Sequence, residues 1–208
     1  MRTARRTFKG ALHHGMNRGY EGRPILCTRS DKGAFLHLLE RAQELTKVRI
    51  LAYCIMDNHY HLVLQNGSER MSDFFKQLNG SYAVHYRNVH GGRGYVFQDR
   101  YRSMLIQDDG YLRVAIAYVL RNPCRSGRTR SFLDYPWSSG GLYFKQKTPV
   151  MVDVGYVEEL FGSMEELTRL VAEMEFDELP TIRTEMGPVI GDGSLVAQVR
   201  ERAERRSG

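Results

Sequence analysis

The sequence predicts an α+β fold, with helices packed on an antiparallel sheet, on three observations. Segments of alternating and helical apolar spacing follow one another in the order strand, helix, strand, strand, helix, strand, helix. The two adjacent strands are separated only by the turn-prone pair Asp57 and Asn58, which makes them a hairpin. The other strands are split by helices in a pattern that suits a ferredoxin-like layer and not a doubly wound parallel sheet.

Taken in order, Ala11 to Asn17 forms the first strand and Gly19 to Gly22 a turn. Ser30 stands as a helix N-cap, because Phe35, Leu38, Leu39, Ala42 and Leu45 then fall on one face. Val48 to Met56 and His59 to Gln65 are the hairpin strands, rich in Ile, Val, Leu and Tyr. A second helix starts near Ser72, lines up Phe74, Phe75, Leu78, Tyr82 and His85 or Tyr86, and breaks at the Gly-Gly-Arg-Gly run, residues 91–94. A strand over Val96 to Ile106 follows, then a helix from about Asp109 to Leu120 that stops before Asn122 and Pro123. Past a loop after Tyr135, Val157 to Met174 and Leu195 to Glu204 read as helices. Residues 1–145 thus form the sheet-bearing domain and 146–208 a helical C-terminal extension.

The chain has 208 residues, 30 Lys and Arg against 24 Asp and Glu, and a formal charge of +6. The excess favours a polyanionic partner without establishing one. It is concentrated at the start, where residues 1–30 contain one acid, Glu21, whereas Asp153 to Glu185 is mainly acidic. Arg93, Arg100 and Arg102 alternate with Tyr95, Phe97 and Tyr101, a mixture that can grip phosphates while stacking on bases. A solvated strand with its aromatics in the core has the same composition. Cys27, Cys54 and Cys124 have neither disulfide nor zinc-site spacing, which suits a reducing cytoplasm. No apolar run reaches the roughly 20 residues of a membrane span, and the basic start lacks the apolar segment of a secretory signal.

Residues two apart on a strand share a face, so His59 and His61 present two imidazoles side by side while Tyr60 turns to the core. Such a pair can hold one metal ion, and two incidental histidines would have the same spacing. Tyr118 and Asn122, four apart on a helix, project together, as a nucleophile and a ligand or as a core tyrosine and a helix terminator. Tyr111 shares that helix face, and Tyr82 and Tyr86 lie on the preceding helix, so spacing alone leaves several tyrosines open.

Residues 55–64, Ile-Met-Asp-Asn-His-Tyr-His-Leu-Val-Leu, resemble the His-hydrophobic-His strand of HUH nucleases. The likeness continues through Gly-Tyr-Val-Phe-Gln-Asp-Arg-Tyr-Arg-Ser (94–103) and Tyr-Val-Leu-Arg-Asn-Pro (118–123), in the order of the single-tyrosine HUH transposases. It runs from His14 to Ser139 and is strongest to the REP-associated tyrosine transposases (RAYT). One departure is Asp57, where relatives usually carry Pro.

The resemblance implies a ferredoxin-like palm, His59, His61 and Asn122 as ligands of Mg²⁺ or Mn²⁺, and Tyr118 as nucleophile. The implied activity is a DNA endonuclease and strand transferase that forms a 5′-phosphotyrosine on hairpin-forming single-stranded DNA. Transposition and DNA recombination are its outcome. The basic residues Arg2, Arg5, Arg6, Lys9, Arg18, Arg23, Arg93, Arg100 and Arg102 are the expected DNA contacts. Two other readings fit the letters: a non-catalytic single-stranded nucleic-acid-binding module, and a metal-dependent hydrolase in which water attacks. Monomer and dimer are both compatible with the sequence.

Overall fold

The computed structural model describes residues 7–68, 70–144, 152–174, 178–184 and 187–192. β1 spans Leu12–Arg18, α1 Arg29–Thr46, β2 Arg49–Ile55, β3 His59–Gln65, α2 Met71–His90, β4 Arg102–Ile106 and α3 Asp109–Arg125. They are followed by α4 (Val154–Phe161), α5 (Met164–Glu173), β5 (Thr181–Thr184) and β6 (Gly187–Ile190). The strands form one sheet in the order β2-β3-β1-β4-β6-β5.

Alternation along β3 sorts the molecule into layers. Tyr60, Leu62 and Leu64 face one side and pack with Phe35 and Leu39 of α1 and Phe74, Phe75 and Leu78 of α2. Val63 faces the other side and joins Leu112, Ile116 and Leu120 of α3. Each of these apolar side chains is essentially withdrawn from water, which stabilises the fold by roughly 1.5–3 kcal/mol per side chain before chain entropy is counted. Gly15 lets α2 approach β1, because a Cβ there would lie 2.3 Å from Cζ of Phe75.

The antiparallel register β2-β3-β1-β4 is the ferredoxin-like arrangement expected. The complete sheet is nevertheless mixed, since β6 lies parallel to β4. Between those strands the chain passes through α3, α4 and α5, and a crossover of this kind returns a strand in the same direction. The segment after residue 145 is therefore not purely helical. Val157 to Met174 divides into α4 and α5 at Gly162, which takes a left-handed φ of 74°. The short β5 and β6 had too little alternation to be read, and Leu195 to Glu204 lies outside the described residues.

Three helix ends differ from expectation. Thr28, not Ser30, caps α1, because Thr28 and Asp31 exchange two side-chain to backbone hydrogen bonds, a capping box. α2 begins at Met71 behind Arg70, with no side-chain cap, so Ser72 is already helical. α3 continues through Pro123 to Arg125. The expected strand over Val96 to Ile106 is shortened to β4: residues 96–98 bond to the end of β1 and the segment following it, through Gly19 and Phe97, Tyr20 and Val96, and Arg18 and Gln98. Asn17 Nδ2 then donates to the Asp99 carbonyl at 3.1 Å, and Tyr101 turns inward to stack on Phe75 at 3.8 Å.

Candidate active site

Strand pairing and the crossing of α3 assemble one polar cluster. His59 and His61 lie on the α3 face of β3, their rings 4.9 Å apart and nearly perpendicular. The register sets Arg18 opposite His59 and Met16 opposite His61, so the same face of β1 also carries His14. Tyr118, half-buried, stands edge-on to His61 at 5.8 Å and to His14 at 6.1 Å. One turn further, Asn122 donates Nδ2 to the Tyr118 carbonyl at 2.8 Å and accepts from Arg125 at 3.4 Å. The Arg125 guanidinium lies 5.1 Å from the Tyr118 ring centre and donates to its Oη at 3.4 Å.

The histidines are held neutral. Burial, then the charges of Arg125 and Arg18, lowers His59 below its ordinary range. Burial, then His14, His59 and Arg125, holds His61 well below it, and burial alone takes His14 to about 4. Their orientation is also fixed. His59 Nδ1 lies 2.6 Å from Asn58 Oδ1, and Asn58 Nδ2 donates to the Gly22 carbonyl. An amide oxygen only accepts, so His59 is protonated at Nδ1 and bares its Nε2 lone pair. His61 Nδ1 shares a 2.9 Å hydrogen bond with His14 Nε2.

Two neutral imidazoles with an amide oxygen one helical turn from Tyr118 form a donor set that fits a divalent cation. Among the described residues, no three His, Cys, Asp or Glu side chains form a metal cage. On α3 the side-chain oxygens of Tyr118 and Asn122 lie on the same helix face as Arg125.

The other tyrosines are differently placed. Tyr82 is fully buried under the opposite sheet face, donating to the Ile25 carbonyl, and Tyr86 packs on the same core. Tyr111 is half-buried against the α3 core, two turns before Tyr118. The aromatics in the 95–101 segment also separate: Phe97 and Tyr101 are buried, whereas Tyr95 is 83% exposed.

All five predicted DNA-contacting arginines within the described residues are exposed, in two groups. Arg18, Arg100 and Arg102 line a cleft with Met16 and Asn17, and Arg23 and Arg93 line another with Tyr20 and Tyr95. Arg2, Arg5 and Arg6 lie outside the described residues. The sequence alone gave no site role to His14 or Arg125, and Asn58 only its place in the hairpin turn. His14 needed the pairing of β1 with β3 to show that it shares a face with His61, and Arg125 was hidden by reading Pro123 as a helix stop.

The site thus sets a histidine pair on a ferredoxin-like sheet against a helical tyrosine. A family model described as "Transposase IS200 like" matches residues 14–122, just over half of the chain and all of the cluster but Arg125. The chain belongs to the IS200-like transposase family, whose members are enzymes that act on single-stranded DNA. Among solved structures it is similar in fold to a REP-associated tyrosine transposase bound to a REP hairpin, at 18% identity and a TM-score of 0.58, over 74% of this chain and 93% of that one. A Deinococcus radiodurans R1 protein assigned as a transposase aligns at 15% identity and a TM-score of 0.41, over 62% and 98% of the two chains. No curated protein matches the chain. No helix among the described residues is long and apolar enough to cross a membrane.

Proposed function

We propose that this transposase cuts and rejoins hairpin-forming single-stranded DNA through a 5′-phosphotyrosine on Tyr118. The observation that carries the reading is the placement of the Tyr118 ring beside His61, with Asn122 and Arg125 on the same helix face. His59, His61 and Asn122 would hold Mg²⁺ or Mn²⁺, which when bound polarises the scissile phosphate and offsets its developing charge. Tyr118 Oη attacks phosphorus in line, giving up its proton; the Tyr118 O–P bond forms as the P–O3′ bond breaks, and the departing oxygen takes a proton to become a 3′-hydroxyl. A later 3′-hydroxyl reverses the step, so joining needs no ATP. Arg125 stands against the tyrosine, where its charge steadies the phenolate that develops.

Arg18, Arg100 and Arg102 flank the site and would hold the phosphates on one side, with Arg23 and Arg93 on the other. Hairpin DNA as substrate is supported by the fold shared with a protein solved on such a hairpin. The same reading puts the protein with its DNA in the cytoplasm.

The test incubates protein with 5′- or 3′-labelled single-stranded hairpins and Mg²⁺ or Mn²⁺, followed by denaturing gels. A metal-dependent adduct carrying the 3′ fragment, absent from Tyr118→Phe, is expected. Free products without adduct would make the enzyme a water-using hydrolase. Tight binding without cleavage across varied hairpins would make it a binding module.

A further inference from the structure

The second basic cleft, beside the sheet end and lined by Tyr20, Arg23, Tyr86, Arg87, Arg93 and Tyr95, has a volume of about 190 Å³ and is open to solvent, a shallow seat and not an enclosed ligand pocket. Gly91, Gly92 and Gly94 take positive φ of 71°, 93° and 100°, and this left-handed turn after α2 brings Tyr95 back to the cleft. A tyrosine 83% exposed, with no core to join, is the anomaly here. Its ring lies 6.4 Å from that of Tyr20, tilted by 36°, and the Arg23 guanidinium stands 5.8 Å from the Tyr20 ring.

The acids nearby do not cancel the charge. Glu21 pairs with Arg23 only at the exposed surface, 3.3 Å apart, where such a pair is weak and screened. Asp31 is buried behind the cleft wall, bonded to the lining residue His90 through Nε2 at 2.7 Å. Hydrogen bonds connect the cleft wall to the site: Tyr20 N donates to the Val96 carbonyl, Gly19 N to the Asn58 carbonyl, and Asn58 Nδ2 to the Gly22 carbonyl. Asn58 in turn orients His59.

We infer that this cleft binds one unpaired nucleotide of the DNA strand flanking the hairpin, its base on Tyr95 and Tyr20 and its phosphate on Arg23 and Arg93. An aromatic face can stack on a base only when the base is out of a duplex, so the cleft selects single strand over stem. Its attachment through Asn58 ties the seating of that nucleotide to the position of the histidine pair. The inference rests on the proposed single-stranded DNA substrate and names a contact that cleavage chemistry does not require.

The test uses Tyr118→Phe protein, so that binding is read without cleavage. Hairpins with a single-stranded flank carry 2-aminopurine at each flank position in turn, and a hairpin without a flank is the reference. Quenching at one position is expected, lost in Tyr95→Ala and restored in Tyr95→Phe. Affinity for the flanked hairpin falls about tenfold in Tyr95→Ala, as the loss of one base–aromatic stack requires, and that for the flankless hairpin is unchanged. Tyr95 is on the surface, so folding is not at stake. If the flanked hairpin binds and Tyr95→Ala alters neither quenching nor affinity, the cleft assignment fails alone. If no hairpin binds at all, the substrate reading fails with it.

Discussion

His14 Nε2 and His61 Nδ1 share a hydrogen bond of 2.9 Å between two buried rings that lie nearly parallel, their planes 11° apart. His14 Nδ1 has no partner among the described residues. A ring nitrogen without a partner is cheapest as a bare acceptor, which puts the His14 proton on Nε2 and aims it at His61. For His61 to present an Nε2 lone pair to a cation, its own proton must sit on Nδ1 instead, and His14 must then carry its proton on the partnerless Nδ1. The pair thus has two tautomeric arrangements, and a cation held at His61 Nε2, as proposed, would select one.

The first prediction concerns His14 as a positioning residue. Its replacement in His14→Ala removes the group that orients His61, and losses of about 10–100-fold in metal affinity accompany changes of this kind. Calorimetric titration with Mn²⁺ is expected to show a weakening in that range, with adduct yield falling in parallel. Unchanged Mn²⁺ affinity would mean that the strand alone sets the ring.

A second prediction separates the tyrosines. Tyr118→Phe removes only a half-buried hydroxyl whose contact is Arg125 Nη2 at 3.4 Å, so melting temperature should hardly move while covalent adduct disappears. Tyr111→Phe should keep the adduct. The reverse pattern would transfer the nucleophilic role to Tyr111.

Arg125 supports a third. It is exposed, lies over the Tyr118 ring and reaches both Tyr118 and Asn122. Arg125→Gln should lower the rate of adduct formation about two- to fivefold, the scale of an exposed cation–π contact of roughly 0.5–1 kcal/mol. DNA affinity should fall by much less. A loss in binding equal to the loss in rate would make Arg125 a phosphate contact instead.

A fourth prediction tests packing below the site. The Cβ in Gly15→Ala would meet the fully buried Phe75 ring at 2.3 Å. The ring must move within a close-packed core, and overpacking of this kind costs roughly 1–3 kcal/mol. Thermal unfolding should show a lowered midpoint, and Phe75→Leu in the same chain should recover part of it.

Much of this was legible because it depends on local periodicity. The hairpin, the three main helices and the inward turn of Tyr60 follow from spacings of two and three to four residues, and the helix spacing of Tyr118 and Asn122 is of the same kind. What stayed hidden depends on partners distant in sequence. His14 acquires a role only when β1 pairs with β3, and the division of Tyr95 from Phe97 and Tyr101 depends on where the chain leaves β1. Pro123 misled because its missing N–H argues for a helix end, whereas the helix continues and carries Arg125 to the tyrosine. The parallel β6 is set by a long crossover that short apolar runs do not announce.

The last prediction comes from Asp57, in the turn before His59. Its carboxylate pairs with Lys32 of α1 at 2.6 Å and with Arg128, just beyond α3, at 2.6 Å. The turn before His59 is thereby fastened to both helix layers. Burial raises the Asp57 pKa, but the hydrogen bond and charge of Lys32, then those of Arg128, outweigh it and leave the carboxyl below its usual range. The Lys32 side chain is only 6% exposed, so Asp57→Asn strands a buried ammonium, which costs roughly 3 kcal/mol. A group whose folded pKa is depressed contributes stability above its unfolded pKa, near 3.9 for Asp, and loses it as pH falls toward the folded value. The stability gap between wild type and Asp57→Asn, read by urea unfolding, should therefore be constant above about pH 5 and close below about pH 4. Lys32→Met should narrow the gap at neutral pH by removing the stranded charge. A gap that persists undiminished in acid would assign the loss to the turn backbone and not to the ion pairs.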